Sequence, residues 1–230
     1  MQTFSLNTFL QETAQDDSKH GIFELEKPCI LELNLANQTI MMKAGAMVAY
    51  TGNVKFEREG ILSQGISNLL KKAISGEGAS YMKATGTGRI YAADSEKRVQ
   101  IIYLENETIS VNGNDVLAYE QTVKSDIKMM KSVAGIVGGG LFQVILSGIG
   151  HVAITTHGHP LTLQVKPGEP IQTDPNATVA WSGSLTPAIK TDVSLKTFIG
   201  RGSGESIQLK FEGTGWVLIQ PYEEVYSISK

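Results

Sequence analysis

The chain has 230 residues, of which 41% are hydrophobic and 19% are charged, and its formal net charge is −3. These values are typical of a globular protein, and the lack of a long basic run argues against a non-specific nucleic-acid binder. The one cysteine, Cys29, excludes an intrachain disulfide and a multi-cysteine metal cluster, which fits a reducing compartment. Because residues 1–20 lack the basic and apolar regions of a secretory signal, we expect a cytoplasmic protein.

After an N-terminal segment at 1–20, apolar and polar residues alternate with the period of two that is typical of β-strands. The pattern is clearest in ILELNLANQTIMM at 30–42 and in RVQIIYLENETISV at 98–111. Cys29 directly precedes the first of these stretches, and we predict that it is a buried strand residue. The sequence therefore predicts an all-β domain over 21–222, followed by a short C-terminal tail over 223–230.

One segment, ILSQGISNLLKKAIS at 61–75, breaks the β pattern. Ile66, Leu69 and Leu70 recur at three- and four-residue spacing, which predicts one short amphipathic helix. With Lys71 and Lys72 beside the apolar face, this helix is suited to contact a membrane surface or a partner protein. The alternative is that the helix caps one open end of the β core.

Glycines close strand-like stretches at three places, each time as G-x-G before an apolar strand sequence: RIYAA, HVAIT or WVLIQ. A phosphate-binding loop would need a helix after its glycines, because the helix N–H groups bind the anion. We therefore interpret these residues as structural glycines that mark bulges or close backbone approach. They are Gly86, Gly88, Gly148, Gly150, Gly213 and Gly215.

A second signature, alanine followed by an aromatic residue, lies upstream of each glycine pair. Its three copies are Ala49-Tyr50, Ala118-Tyr119 and Ala180-Trp181. Two signatures that recur in the same order predict an internal repeat. The repeats cover about 22–100, 101–163 and 164–222.

Residues 132–165 contain no Asp, Glu, Lys or Arg. Glycines make a membrane-spanning helix an unfavourable reading of this run, since each costs about 1 kcal/mol against alanine in a helix. Uncharged strands are usually buried on both faces or covered by a neighbouring subunit. We therefore expect a homo-oligomer with closed cyclic symmetry, and a trimer is the state that we favour.

The histidines His151, His157 and His159 lie close together in the sequence and could bind a metal ion. The alternative is a turn at Gly158 and Pro160, with the imidazoles exposed or hydrogen-bonded. A G-x-S-x-G nucleophile elbow does not occur in the sequence, and we expect no enzymatic activity and no cofactor.

Three lysines could contact phosphate, or could belong to an ordinary solvated strand face. They are Lys124, Lys128 and Lys131.

The G-x-G strand endings, the alanine–aromatic strands, the segment LLKKAISGEG and the closing GTGWVLIQ resemble the altered-inheritance-of-mitochondria family over about 21–222. The resemblance implies a fold like that of the tryptophan-RNA-binding attenuation protein. In that fold, short double-stranded β-helix sandwich units are duplicated within a chain and are prone to ring-like or trimeric assembly. The fungal member of the family is mitochondrial and associated with inner-membrane organisation, but the family has no catalytic motif to transfer.

Together these observations predict an all-β protein of two to three short double-stranded β-helix or sandwich units, with pseudo-threefold symmetry if there are three. The predicted function is that of a non-enzymatic oligomeric scaffold or binding protein of unknown ligand, with peripheral membrane contact. One alternative is a nucleic-acid-binding protein, which the fold analogy suggests but the composition disfavours. The other is a metal-dependent enzyme that uses His151, His157 and His159.

Overall fold

The computed structural model describes residues 3–17, 21–58, 81–130, 142–191 and 207–223, and it confirms an all-β fold. The described residues contain one short helix. All strand pairs are antiparallel and the layout is sandwich-like. The elements are α1 (Leu6–Glu12), β1 (Phe23–Lys27), β2 (Ile30–Lys43), β3 (Met47–Arg58), β4 (Tyr81–Ala92), β5 (Arg98–Asn112), β6 (Val116–Glu120), β7 (Val123–Met129), β8 (Phe142–Thr156), β9 (Leu161–Val165), β10 (Ile171–Thr173), β11 (Thr178–Ser182), β12 (Ala188–Thr191), β13 (Ile207–Phe211) and β14 (Gly215–Ile219).

The strands form two sheets. The larger sheet has the order β3-β4-β2-β6-β8-β5-β11-β14-β9, with β1 added beside β2 and β7 beside β8. The smaller sheet has the order β10-β13-β12. Strands β3 and β9 therefore lie at the two ends of the larger sheet, and β10 and β12 at the two edges of the smaller one.

Strand β2 shows how a bulge lets a long strand bury residues of different parity in one apolar cluster. Leu31, Leu33 and Leu35 are buried at odd positions, whereas Ile40 and Met42 are buried at even positions. A bulge between residues 36 and 38 inserts one extra residue, and Asn37 there has a left-handed φ of 59°. Because side chains alternate with a period of two, one inserted residue moves the apolar set to the other parity.

The ladder of β5 with β8 repeats the arrangement of the ladder of β2 with β4. In β5 the bulge lies between residues 105 and 107, and Asn106 has a left-handed φ of 72°. Each bulge faces a glycine pair on the partner strand, Gly86 and Gly88 on β4 or Gly148 and Gly150 on β8. The third ladder is formed by two successive strand pairs, β9 with β14 and β10 with β13. Gly215 faces Val165 at the end of β9.

A second bulge recurs where the alanine–aromatic strands pair. It lies between residues 47 and 49, 116 and 118, and 178 and 180. In each case the alanine pairs with the residue three positions after the second glycine of the pair. These registers are alike in three ladders of the described chain, while the number of structural units stays a prediction.

The glycine pair on β4 permits close backbone contact with β3. Gly88 has a φ of 153°, and a Cβ added there would lie 2.0 Å from the carbonyl oxygen of Thr51. Gly86 has a φ of 139°, and its Cβ would lie 2.1 Å from the carbonyl oxygen of Asn53. Any larger residue would have to push the two strands apart, so these glycines are structural.

The buried side chains form three apolar clusters that follow the three ladders. The largest fully buried side chains are Trp181, Phe211, Leu31, Leu33, Ile40, Met42, Ile90, Leu104, Leu117, Leu146, Ile154 and Leu209. The first cluster is built mainly from β2 and β4, the second mainly from β5 and β8, and the third around Trp181 and Phe211.

The helix α1 was not predicted from the sequence. It begins after Ser5, whose Oγ accepts a hydrogen bond from the backbone N–H of Thr8 at 3.2 Å, and its side chains are all exposed. Leu6, Phe9 and Leu10 show the helical spacing that could have indicated it. The helix that we predicted over 61–75 lies outside the described residues.

The prediction for Cys29 is wrong in its placement. Lys27 pairs with Ile30, so Pro28 and Cys29 form the two-residue turn between β1 and β2. Cys29 is half-buried there, and its thiol donates a hydrogen bond to the carbonyl oxygen of Glu96 at 3.1 Å.

The described part of the uncharged run at 132–165 contains the strands β8 and β9, and the subunit contact that we expect from this run stays a prediction. Strand β8 pairs with β5 along one side and with β6 and β7 along the other. Its side chains at 144, 146, 152 and 154 are fully buried within the chain. In the described ranges, no helix has the length and apolar character to cross a bilayer.

We predict that Gly88→Ala lowers the free energy of unfolding by about 3 kcal/mol or more, because it adds both a strained φ and a clash with Thr51. Gly45→Ala is the matched control, since Gly45 also has a positive φ, of 86°, but its Cβ would meet no atom within 4 Å. The control should lose only about 1 kcal/mol. Urea denaturation of both variants measures the difference, and equal losses would contradict the close-contact role of Gly88.

Candidate functional site

Two seams join neighbouring ladders side by side. In the first seam, residues 40–42 of β2 pair with residues 118–120 of β6. In the second, residues 109–111 of β5 pair with residues 180–182 of β11. Both seams cover an alanine–aromatic pair: Tyr119 is 3% exposed and Trp181 is 2% exposed.

The third alanine–aromatic pair, Ala49-Tyr50, lies on β3 and is not covered. Tyr50 is 48% exposed and the neighbouring Val48 is 59% exposed. The ring of Tyr50 contacts only the edge of Phe56 among the aromatic rings described, at 5.2 Å between centroids. Strand β3 pairs with β4 and ends the strand order of the larger sheet. We call residues 47–51 the β3 edge, and it is the candidate interaction surface of the described chain.

A buried ion network lies where the turns after β2, β4 and β5 meet. Lys97 Nζ is 2.9 Å from Asp115 Oδ1 and 3.9 Å from Asp94 Oδ2, and Lys43 Nζ is 2.7 Å from Asp94 Oδ2. The side chains of Lys97 and Asp115 are 6% and 1% exposed. Thr155 on β8 adds a hydrogen bond from its hydroxyl to Asp94 at 3.3 Å. Two cations and two anions balance, so the network joins the first two ladders without a net charge.

A pair of buried carboxylates lies on the neighbouring strands β1 and β2. Glu24 and Glu32 are directly opposite each other and are 5% and 2% exposed. The backbone N–H of Gly21 donates to Glu24 Oε1, and Arg89 Nε lies 3.6 Å from Glu32 Oε1. Burial, with the nearby Glu32 carboxylate, raises the pKa of Tyr91 on β4. The two carboxylates are buried between strands, whereas the side chain of Arg89 is 41% exposed, and the arrangement serves the packing of β1 onto β2.

The segment before β1 is attached to the outer face of the first ladder. Asp17 Oδ1 accepts a hydrogen bond from Arg89 Nη1 at 2.5 Å, and Lys27 Nζ donates to the carbonyl oxygen of Ala14 at 3.1 Å. Hydrogen bonds from the side chains of Gln15 and Arg89 lower the pKa of the Asp17 carboxyl. Asp17 is exposed, so this link positions the segment and adds little to stability.

The three histidines do not come together. His151 Nδ1 lies 3.2 Å from Glu120 Oε2, and its ring stacks on Phe23 at 5.5 Å and meets Tyr103 at 4.8 Å. His157 follows the end of β8, six residues further along the strand direction and therefore about 20 Å away.

The ring of His157 lies 4.2 Å from that of Tyr222. His159 lies in the bend at 157–159, where the sequence predicted a turn as the alternative to a metal site. No group of three or more His, Cys, Asp or Glu side chains in the described ranges has the geometry to hold a metal ion.

The other candidate residues are divided between described and undescribed parts of the chain. Ile66, Leu69, Leu70, Lys71, Lys72 and Lys131 lie outside the described residues. Lys124 and Lys128 are exposed on β7, with Asp126 between them on the same strand face and its carboxylate 3.9 Å from Lys128 Nζ. The carboxylate between the two lysines favours an ordinary solvated strand face over a phosphate-binding one.

We predict that Lys97→Met lowers the free energy of unfolding by about 3–5 kcal/mol, because it leaves the buried carboxylate of Asp115 without its 2.9 Å partner. Lys55→Met is the matched control, since Lys55 pairs with Glu57 at 2.5 Å but is 75% exposed. The control should leave the free energy of unfolding unchanged within error. Urea denaturation of the two variants tests this, and similar losses would show that the network does not hold the ladders together.

The comparisons with known proteins agree with this architecture. A crystal structure of a Streptococcus pyogenes protein from a structural genomics programme is similar to this chain with a TM-score of 0.67 and 21% identity, over 87% of this chain and 92% of that one. At this identity the likeness shows a shared fold. No curated protein matches the chain. The family model described as mitochondrial biogenesis AIM24 matches residues 23–222, which confirms the resemblance found in the sequence. Since that match spans most of its length, the chain belongs to the mitochondrial biogenesis AIM24 family.

Proposed function

We propose that this protein is a non-enzymatic scaffold or binding protein that assembles into a symmetric oligomer through the β3 edge. The supporting observation is that this edge exposes an alanine–aromatic pair whose two counterparts are buried in seams. An unpaired strand offers a row of backbone N–H and C=O groups to a further strand. The exposed Tyr50 and Val48 add apolar area that pairing would remove from water.

The two halves of β3 differ in how well they resist such pairing. Natural edge strands are commonly protected by charged side chains, prolines or bulges. The half after residue 53 carries Lys55, Glu57 and Arg58, whereas residues 47–51 read MVAYT and contain no charge and no proline. The bulge between residues 47 and 49 does not prevent pairing, because β6 and β11 carry the same bulge and pair in the two seams. The uncharged half is therefore the part of β3 that is suited to bind another strand.

We place the protein in the cytoplasm and propose that it uses no cofactor. Peripheral membrane contact stays part of the proposal through residues 66–72, and liposome flotation tests it. Recovery of all the purified protein below the lipid layer would remove the membrane contact. Nucleic-acid binding is the competing function, and it would require an affinity for generic RNA that falls steeply with salt.

We predict that light scattering of the purified protein gives a discrete multiple of 24.8 kDa, and that Tyr50→Glu shifts the mass toward a single chain. The new carboxylate would have to be buried in the assembled edge, which is costly without a partner charge. Tyr103→Glu is the matched control, because Tyr103 is equally exposed at 50% but lies on the inner strand β5. The control should keep the wild-type mass, and a wild-type mass of 24.8 kDa would refute the proposed assembly.

A further inference from the structure

We propose that the β3 edge of one copy pairs antiparallel with the outer edge of β10 of a second copy, with Tyr50 opposite Gln172. The inference rests on the proposed function, because it names the partner of the same surface. It follows from the registers of the two seams within the chain and from two of the terminal strands of the described sheets, β3 and β10.

The two seams follow one register. Tyr119 lies opposite Met41 in the first seam, and Trp181 lies opposite Ser110 in the second. The preceding alanine lies opposite the next residue of the facing strand, Met42 or Val111. In both seams, therefore, the alanine–aromatic strand of one ladder, β6 or β11, pairs with the first strand of the ladder before it, β2 or β5.

The glycine pairs identify the strand of the third ladder that is equivalent to β2 and β5. Ile40 and Ile109, at the start of the two seam segments, pair across their own ladders with Ala84 and Leu146. Each of these partners lies two residues before the first glycine of its pair. The residue two positions before Gly213 is Phe211, and it pairs with Ile171 on β10. Ile171, Gln172 and Thr173 thus correspond to residues 40–42 and 109–111.

Tyr50 on β3 and Gln172 on β10 lie at the two halves of a seam that is not formed within the described chain. Tyr50 is 48% exposed, against 3% and 2% for its counterparts Tyr119 and Trp181. Gln172 is exposed, whereas its counterparts Met41 and Ser110 are 6% and 4% exposed. Strands β3 and β10 belong to different sheets, and each is a terminal strand of its sheet.

A second copy of the chain is the occupant that matches both edges. The seam register pairs Ala49 with Thr173, Tyr50 with Gln172 and Thr51 with Ile171, so neither segment brings a charge into the contact. Thr51, Ile171 and Thr173 are β-branched and Tyr50 is aromatic, and both kinds of residue favour strand pairing. Because the two edges are different surfaces, the contact is head-to-tail, and such contacts close into rings when the rotation between copies allows it.

Disulfide trapping between separately prepared chains tests the register. In a Cys29→Ser background, one chain carries Tyr50→Cys and the other carries Gln172→Cys, and the two are mixed and oxidised. Directly opposite residues of an antiparallel pair have Cα atoms about 4.5–5.5 Å apart, within the span of a disulfide. A covalent two-chain species joined at 50 and 172, identified by peptide mass spectrometry, is the expected major product.

Two further variant pairs sharpen the test. Thr51→Cys with Ile171→Cys keeps Tyr50 in place, so a weakened edge cannot hide the contact, and it should also form the covalent dimer. Tyr50→Cys with Lys190→Cys is the matched control, because Lys190 is exposed on β12, at the opposite edge of the same three-stranded sheet. The control pair should remain as separate chains.

The outcomes separate this inference from the proposed function. An oligomeric wild type that gives no 50–172 and no 51–171 disulfide would overturn the β3–β10 pairing and leave self-assembly standing. A single chain that carries both Tyr50→Cys and Gln172→Cys is oxidised in parallel. A disulfide that forms only within this chain, and never between the mixed chains, would overturn the role of the second copy. A wild type of single-chain mass would overturn both.

Discussion

The lack of room for a side chain at the second glycine of each pair, Gly88, Gly150 and Gly215, is the constraint on which the rest of this structure depends. Gly86 and Gly88 allow β4 to lie against the carbonyl groups of β3, and the facing bulge at Asn37 absorbs the extra residue. A long strand can then change the side chains that it buries partway along its length. The segments of β2 and β5 that follow their bulges pair within the ladder on one side and in a seam on the other.

The seams and the buried ion network are two means of joining the ladders. The seams bury alanine–aromatic pairs between strands, and this contribution is mainly apolar. The network joins Lys43, Asp94, Lys97 and Asp115 at the turns of the first two ladders, where buried charges are tolerated only as partners of each other. It therefore fixes which turns meet, in addition to any stability that it adds.

The alternation in β2 and β5 was sufficient to predict the all-β class, and the G-x-G patterns were sufficient to exclude a phosphate loop. The exposure of Tyr50 could not be predicted in this way, because Ala49-Tyr50 reads the same as Ala118-Tyr119 in the sequence. What distinguishes them is whether another ladder lies beside the strand, and that is a long-range property. The ion network was missed for the same reason, since Lys43 and its partner Asp94 are far apart in the chain, as are Lys97 and its partner Asp115.

Hydrogen–deuterium exchange of those backbone amides at residues 48–51 that point away from β4 tests the central claim most directly, because only these amides report whether the outer edge of β3 is paired in solution. Our account predicts that these amides are protected at high protein concentration about as strongly as those at 118–120, and that dilution below the assembly threshold removes the protection. Fast exchange at every concentration, at the rate of the outer edge of β12, would contradict it.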